Sequence, residues 1–439
     1  MTIIELFDYN YQYCSLISEG KQDLKEPDVV ELKNCRTCGE PTLRNFLSLG
    51  PMPIPNGFLE PKNLDKGEDY FPLDVAFCEA CGLMTLKHVV RPDIMFRNYV
   101  YIPGTSKTIV EHFGKLAKDS IKRFKLNKNS LAVDIGSNDG TLLKQFKSYG
   151  VKVLGVDPAK NIAAEANKQG IETIPEFFNS KLAKKIAVKR GEADLITATN
   201  VVAHINDSVD LLKGVEILLK NKGVFTGEFP YLLDLLEHSE FDTIYHEHLS
   251  YFSIRSLLAL AGRVNLEIFD VIRTPVHGGS VQVFFRKKGS SKEPPKSSVA
   301  ELVALEKSKG MDTPVPFDDF AIRTHRKKAE LTKLLTELKA QGRRVVGYGA
   351  AAKGNVLTNF FRIGTDLLEY IVDSIPYKQG LYTPGLHIPI YPESKLLEDM
   401  PEYALILAWN FTDEIVNKNQ EYIKRGGKFI TTVPLVKIL

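Results

Sequence analysis

From about Ser106 to Arg286, apolar runs of about five residues alternate with amphipathic segments. Runs of that length, each closing on Gly, Asp, Asn or Glu, read as buried strands. They are LAVDIG (131–136), VKVLGVD (151–157), DLITATN (194–200) and GVFTGEF (223–229). Between the last two, Leu212, Val215 and Leu219 recur at helical spacing. Such alternation predicts a doubly wound parallel sheet, with VQVFFRKK (281–288) as a late strand. A helical stretch around 319–341 introduces a second alternation: RRVVGYGAAAKGNVL (343–357), LEYIVDS (368–374), YALILAWN (403–410) and GKFITTV (427–433). That predicts a second, smaller α/β domain, with LILAWNF (405–411) as a core strand.

The pattern fails in three places. Residues 1–34 form a polar extension, and the stretch from Cys35 to about His88 is rich in Gly, Pro and Cys without helical period. RKKGSSKEPPKSS (286–298) reads as a linker. The expected organisation is an extension (1–34), a cysteine-bearing domain (35–105), a central α/β domain (106–290), a linker (291–315) and a C-terminal α/β domain (316–439). A length of 439 residues suits several domains, and 44% hydrophobic with 25% charged residues is ordinary for a globular chain. A net charge of +3 gives no electrostatic case for nucleic acid or an acidic membrane surface. No apolar stretch approaches the roughly 18–20 residues needed to cross a bilayer, and the first residues lack a secretory pattern. A cytoplasmic protein is the expectation.

Four of the five cysteines form two matched knuckles, Cys35-Arg36-Thr37-Cys38-Gly39 and Cys78-Glu79-Ala80-Cys81-Gly82. Four thiolates suit tetrahedral zinc and leave no open coordination position, so the ion is expected to be structural. The gap between the knuckles is longer than a minimal ribbon needs, which implies an inserted loop. Cys14 stands alone and reads as a small apolar side chain.

Val133-Asp134-Ile135-Gly136-Ser137-Asn138-Asp139-Gly140 ends one strand and opens a helix, and Asp157 ends the next. Backbone amides in such a turn approach a ligand closely, and the acid can accept from ribose hydroxyls. The loop is not the dinucleotide pattern GxGxxG, because Asn138-Asp139 occupies its middle. With the segment TNVVAHINDSVDLLKGVEILLKNKGVFTGEF (199–229), it resembles class I S-adenosylmethionine methyltransferases. That resemblance implies cofactor contacts from Asp134, Gly136, Asn138, Asp139, Gly140, Asp157 and Asn200. A nicotinamide-binding Rossmann domain is the alternative at this point.

Tyr245-His246-Glu247-His248-Leu249-Ser250-Tyr251-Phe252 packs two imidazoles, a carboxylate and two phenols together. Histidine is the natural general base near neutral pH. The spacing is not HExxH, so no catalytic metal is expected. The knuckles, Tyr-Val-Tyr (99–101), the glycine loop, EFPY (228–231), YHEHLSYF (245–252), HGGS (277–280), GYGAAAKG (347–354) and PGLHIPI (384–390) occur in one order. In that order they resemble the C-methyltransferases of nucleotide-linked keto-deoxysugars. The chain departs from that family after Tyr101, reading Ile-Pro-Gly-Thr-Ser (102–106) in place of a double serine.

The resemblance implies three parts: a zinc domain, a central cofactor domain and a C-terminal Rossmann-like domain. It also implies enolate chemistry on a 4-keto-6-deoxyhexose joined to a nucleotide. His248 is then the base and Glu247 its polar partner, with Tyr245, Tyr99, Tyr101 and His204 near the keto oxygen or sugar hydroxyls. Glu228, Tyr231, His277, Lys353, Asn355 and Lys378 are the implied substrate contacts. Methyl transfer to oxygen or nitrogen, a sugar-nucleotide oxidoreductase or epimerase, and a zinc-ribbon nucleic-acid binder are the rival readings. Exchange of the substrate's α-proton and cofactor binding discriminate among them.

Overall fold

The computed structural model describes residues 28–96 and 107–439. The cysteine-bearing module contains β1 (Val29–Glu31), β2 (Leu43–Ser48), β3 (Asp74–Cys78), β4 (Met84–Leu86) and β5 (His88–Val90), then the short helix α1 (Pro92–Phe96). β1 pairs antiparallel with β5, so the module starts upstream of its first cysteine. β2, β3 and β4 form an antiparallel sheet.

The central unit opens with α2 (Lys107–Phe124) and continues through β6 (Leu131–Ile135), α3 (Thr141–Ser148), β7 (Lys152–Val156), α4 (Lys160–Lys168), β8 (Thr173–Ile174), α5 (Ser180–Arg190) and β9 (Ala193–Thr199). It proceeds through α6 (Ser208–Leu218), β10 (Leu219–Pro230), α7 (Leu232–His238), β11 (Ser250–Tyr251), α8 (Ile254–Gly262), β12 (Leu266–Thr274) and β13 (Ser280–Lys287). Seven strands form one sheet in the order β12-β13-β10-β9-β6-β7-β8. β13 runs antiparallel to both neighbours, whereas β6 to β10 pair in parallel. Four of the five β6 residues are buried, as a strand covered on both faces requires. Asn179 caps α5 and Asp207 caps α6, each side chain accepting from a backbone amide three residues on. A Ser253–Ser256 capping box starts α8.

β11 does not join that sheet. It pairs with β4, so two residues of the tyrosine–histidine motif complete the sheet of the cysteine module. The side-chain hydroxyl of Thr85 donates to the Leu249 carbonyl (2.7 Å) beside this pairing.

The expected linker at 291–315 contains α9 (Ser297–Ser308), which packs on β12 and α8. Its Glu306 is buried and accepts from the amides of Ile254 (2.6 Å) and Arg255 (3.1 Å) and from the Tyr231 hydroxyl (2.9 Å). The helix is therefore held by a buried polar anchor together with Val299, Leu302, Val303 and Leu305 packed on the core.

α10 (Val315–Ala340) spans from the cysteine module to the C-terminal sheet. Phe317 stacks on Phe77 at 3.9 Å at one end, and Leu331, Leu335 and Leu338 are buried toward the other. The last unit comprises β14 (Val345–Tyr348), α11 (Ala352–Phe361), β15 (Ile371–Asp373), β16 (Ile390–Pro392), α12 (Ser394–Asp399), β17 (Tyr403–Ile406), α13 (Thr412–Lys418), α14 (Gln420–Lys424), β18 (Lys428–Thr431) and β19 (Lys437–Ile438). Its sheet order is β16-β15-β14-β17-β18-β19, parallel except for β19. LILAWNF is only partly strand: β17 stops at Ile406, and Trp409–Phe411 form a 3-10 turn. No helix among the described residues is long and apolar enough to cross a membrane.

Candidate active site

The two knuckles share one backbone geometry. Cys35 N–H donates to Glu40 O and Gly39 N–H to Cys35 O, while Cys78 N–H donates to Leu83 O and Gly82 N–H to Cys78 O. Gly39 (φ +87°) and Gly82 (φ +76°) take the left-handed conformation that closes each turn. The four sulfurs lie within 4.8 Å of one another, with Cys35–Cys81 and Cys38–Cys78 both at 3.6 Å. Burial first, then neighbouring thiols, push Cys38 up to about 11. Hydrogen bonds with Cys35 and Cys78 hold Cys81 well above its ordinary range. Four thiols so arranged ionise together only around a cation, and tetrahedral zinc fits them.

The glycine loop follows β6. A Cβ on Gly136 would lie 2.4 Å from a Val201 methyl, and its φ of +68° is left-handed, so the position requires glycine. Asp157 spans the loop and its own strand end: Oδ2 accepts from Asn138 N–H and Oδ1 from Ala159 N–H, both at 2.9 Å. Burial raises its pKa against those two amides. Asp139 turns inward, accepting from the Thr141 amide and hydroxyl in the first turn of α3. Gly140 (φ +74°) precedes that helix. Asp134 is buried in β6, accepts from the Thr197 hydroxyl at 2.6 Å and is pushed up to about 7 by burial. Asn200 (φ +56°) donates its amide to Glu228 O. The Ser137 hydroxyl and the Asn200 side-chain oxygen are buried without a protein partner. Two orphaned polar oxygens beside a left-handed loop and an acid-tipped strand fit the ammonium, carboxylate and ribose groups of S-adenosylmethionine.

The tyrosine–histidine motif follows α7 and a 3-10 turn, Phe241–Thr243. His248 Nδ1 lies 2.7 Å from the Thr243 carbonyl oxygen. A carbonyl only accepts, so Nδ1 carries the proton and Nε2 is the basic nitrogen of the neutral ring. The Tyr245 ring covers the imidazole at 3.9 Å, and His204 meets it edge-on at 4.8 Å. Burial pushes His204 down to about 4, so it is neutral at pH 7. His246 is wholly buried and donates from Nε2 to Phe71 O (3.2 Å), tying the motif to the cysteine module. Glu247 is buried and accepts from the Asn56 side-chain amide at 2.6 Å. The expected orientation of His248 by Glu247 therefore differs at Nδ1, where a backbone carbonyl takes that part.

Other expected residues separate into two sets. Glu228 is buried at the tip of β10, where His112 Nε2 (2.9 Å) and the Gln282 amide (2.9 Å) converge on its carboxylate. Lys353 lies 4.2 Å over the Trp409 ring, and His277 lies in the turn Val276–Gly278. Tyr231, by contrast, is 1% exposed with its hydroxyl on Glu306, which makes it a core residue rather than a substrate contact. Lys378 donates to Ala350 O (2.8 Å) beside Asp373, and Asn355 donates to Pro55 O (2.6 Å). Lys378 thereby braces the loop after β14, while Asn355 ties α11 to the insert and keeps a buried side-chain oxygen without a protein partner. Tyr99 and Tyr101 lie outside the described residues. Asn56, His112 and the Thr243 carbonyl were absent from the sequence expectation. Asn56 sits in a Pro-Asn-Gly turn that signals only a loop, and His112 carries no local signal.

Family models match three stretches: a zinc binding domain at 35–96, a methyltransferase domain at 110–271 and a C-methyltransferase C-terminal domain at 275–434. The C-methyltransferase NovU of Streptomyces niveus is 38% identical over 418 residues, covering 95% of this chain and 98% of that protein. The chain belongs to this C-methyltransferase family. The methyltransferase accordingly uses S-adenosylmethionine, with the class I Rossmann-like sheet between its cysteine and C-terminal units. Among solved structures, an S-adenosylmethionine-dependent methyltransferase from Clostridium acetobutylicum aligns at 15% identity over 41% of this chain and 92% of its own (TM-score 0.34). Magnesium protoporphyrin IX methyltransferase from Synechocystis aligns at 12% over 44% and 86% (TM-score 0.32).

Proposed function

We propose that this methyltransferase alkylates the carbon beside the ketone of a nucleotide-linked 4-keto-6-deoxy sugar, through an enolate made by His248. The observation that carries the reading is the Nδ1–Thr243 hydrogen bond, which places a proton on Nδ1 and makes Nε2 the basic nitrogen whenever the ring is neutral. Nε2 takes the α-proton. The C–H electron pair passes into the enolate, whose charge rests on the former ketone oxygen. A carbon acid of this kind ionises only where that oxyanion is stabilised. The Tyr245 phenol beside the base is the described donor for it, with Tyr99 and Tyr101 as further candidates. His204, neutral at working pH, offers an N–H to a sugar or enolate oxygen without adding charge.

When bound, S-adenosylmethionine supplies an electrophilic methyl. Asp157, the Asn138 loop and the unpaired Ser137 and Asn200 oxygens are the groups that hold it. Glu228, His277 and Lys353 are the remaining candidates for the sugar and its phosphates. The burial of His246 and Glu247 against the cysteine module supports carbon chemistry, since the enolate must be kept from water.

The test is a screen of nucleoside-diphosphate 4-keto-6-deoxyhexoses for a one-methyl mass gain, with α-proton exchange followed in deuterated water. His248→Ala is expected to abolish both signals while binding S-adenosylmethionine normally by calorimetry. Turnover at the wild-type rate would remove His248 from the mechanism. Methylation of an α-deuterated substrate with all of its deuterium retained would favour an oxygen or nitrogen acceptor.

A further inference from the structure

Thr243, whose carbonyl fixes the His248 tautomer, is adjacent to the most deeply buried carboxylate in this part of the molecule. Asp242 is 0% exposed, and both its oxygens accept from Trp409 Nε1, at 3.0 and 2.8 Å. Trp409 belongs to the C-terminal unit, in the turn that follows β17. Ligand crevices of doubly wound sheets open at this end of the strands. Lys353, in the first turn of α11, lies over the same indole, and its charge acts on both Asp242 and Glu240. Lys327 of α10 donates to Ser239 O (3.1 Å) and also faces Asp242. Gly278 closes the cluster: a Cβ there would fall 2.5 Å from Glu240 and 3.0 Å from the indole.

A buried carboxylate needs partners of this kind to remain in place. Here the donor that occupies both oxygens comes from a different domain, across 167 residues of sequence. The 3-10 turn Phe241–Thr243 is short, so the placement of Asp242 also sets the Thr243 carbonyl.

We infer that Trp409 is a positioning residue for the base: through Asp242 it holds the Thr243 carbonyl where it accepts from His248 Nδ1. Docking of the C-terminal domain thereby sets the protonation pattern of an imidazole in the central domain. The inference rests on His248 being the base, and the test separates the two.

In the full-length protein labelled with 15N-histidine, the ring nitrogens of His248 are identified by their loss in His248→Ala. The wild type should show the Nδ1–H form. Trp409→Phe, which removes the indole N–H and keeps an aromatic ring for Lys353, should shift His248 toward mixed tautomers. Its kcat on the keto-sugar nucleotide found in the screen should fall by about ten- to a hundredfold with little change in KM. Asp242→Ala should do the same. Asp242→Asn, which keeps an oxygen for the indole, should hold both the tautomer and most of the rate. Trp409 is the only tryptophan, so fluorescence of the Asp242 variants reports whether the domains remain docked. Should Trp409→Phe fail to fold, Asp242→Ala judges the coupling by the same signals. If His248→Ala turns over normally, the base assignment fails, while the tautomer shift still decides the coupling. If His248→Ala is inactive but Trp409→Phe or Asp242→Ala keeps the wild-type tautomer and kcat, the coupling is wrong.

Discussion

Committing one imidazole nitrogen as a donor makes the other the acceptor, and at His248 a main-chain oxygen makes that commitment. The motif around it was visible in the sequence as a cluster of types. Its partners were not, because Asn56 and Glu247 meet across 191 residues and Glu228 and His112 across 116. Contacts of that span follow from the completed fold and leave no local pattern. The cofactor loop was more legible, since its chemistry lies within one strand–turn–helix unit. Even there Asp134 and Asp139 turn inward, to Thr197 and Thr141. Asp134 has a consequence for stability. Its folded pKa is raised to about 7 while the unfolded value stays near 3.8. Above pH 4 the unfolded chain loses this proton and the folded one keeps it, so stability falls as pH rises from about 4 to 7, then levels off. The full effect is at most about 4 kcal/mol. Without cofactor, the Tm of Asp134→Asn is expected to drop less between pH 5 and pH 8 than that of the wild type. An equal drop in both would assign the pH dependence elsewhere.

Among the elements, β6, β7, β9, β10 and β13 were legible because parallel and inner strands are written as apolar runs. β12 was not singled out: LEIFDVIRT mixes charges into an edge strand. α9 was hidden because it follows directly on the Pro-, Ser- and Lys-rich stretch 286–298, although Val299, Leu302, Val303 and Leu305 pack on the core. Least expected was β11, a strand of two residues whose partner lies in another module. That pairing predicts a specific result for the metal. Cys35→Ser should lose zinc and the order of the small sheet, and with it the setting of His246 and His248. Methyl transfer should then fall far more than affinity for S-adenosylmethionine, whose loop lies in the larger sheet. Metal analysis with calorimetry on the same sample tests this, and retained activity in metal-free protein would refute it.

At the scale of the molecule, the three-part division was readable from composition and periodicity, but the contacts between parts were not. The insert between the knuckles reaches the other two units. Asn56 meets Glu247, Pro55 O accepts from Asn355, and Leu59 and Tyr382 exchange backbone hydrogen bonds at 2.9 Å. Glu68 accepts from His387 and from Gly385 N–H. These seams differ in worth. Arg44 and Asp318 are about 40% exposed, so Arg44→Ala should cost under about 1 kcal/mol. Glu306→Ala strands two amides and a phenol in the interior and should cost about 3 kcal/mol or more. Denaturant titration of the two variants side by side measures the contrast, and similar midpoints would contradict it.

The chain leaves the cysteine module at Phe96 and returns at Ser250 to finish its sheet. The units are therefore interleaved, and they do not recombine like beads on a string. A chimera between two relatives that swaps residues 28–96 alone would graft a sheet onto a foreign last strand and a foreign tyrosine–histidine motif. A functional exchange has to carry 241–252 along with it, so these two distant stretches are inherited as one piece.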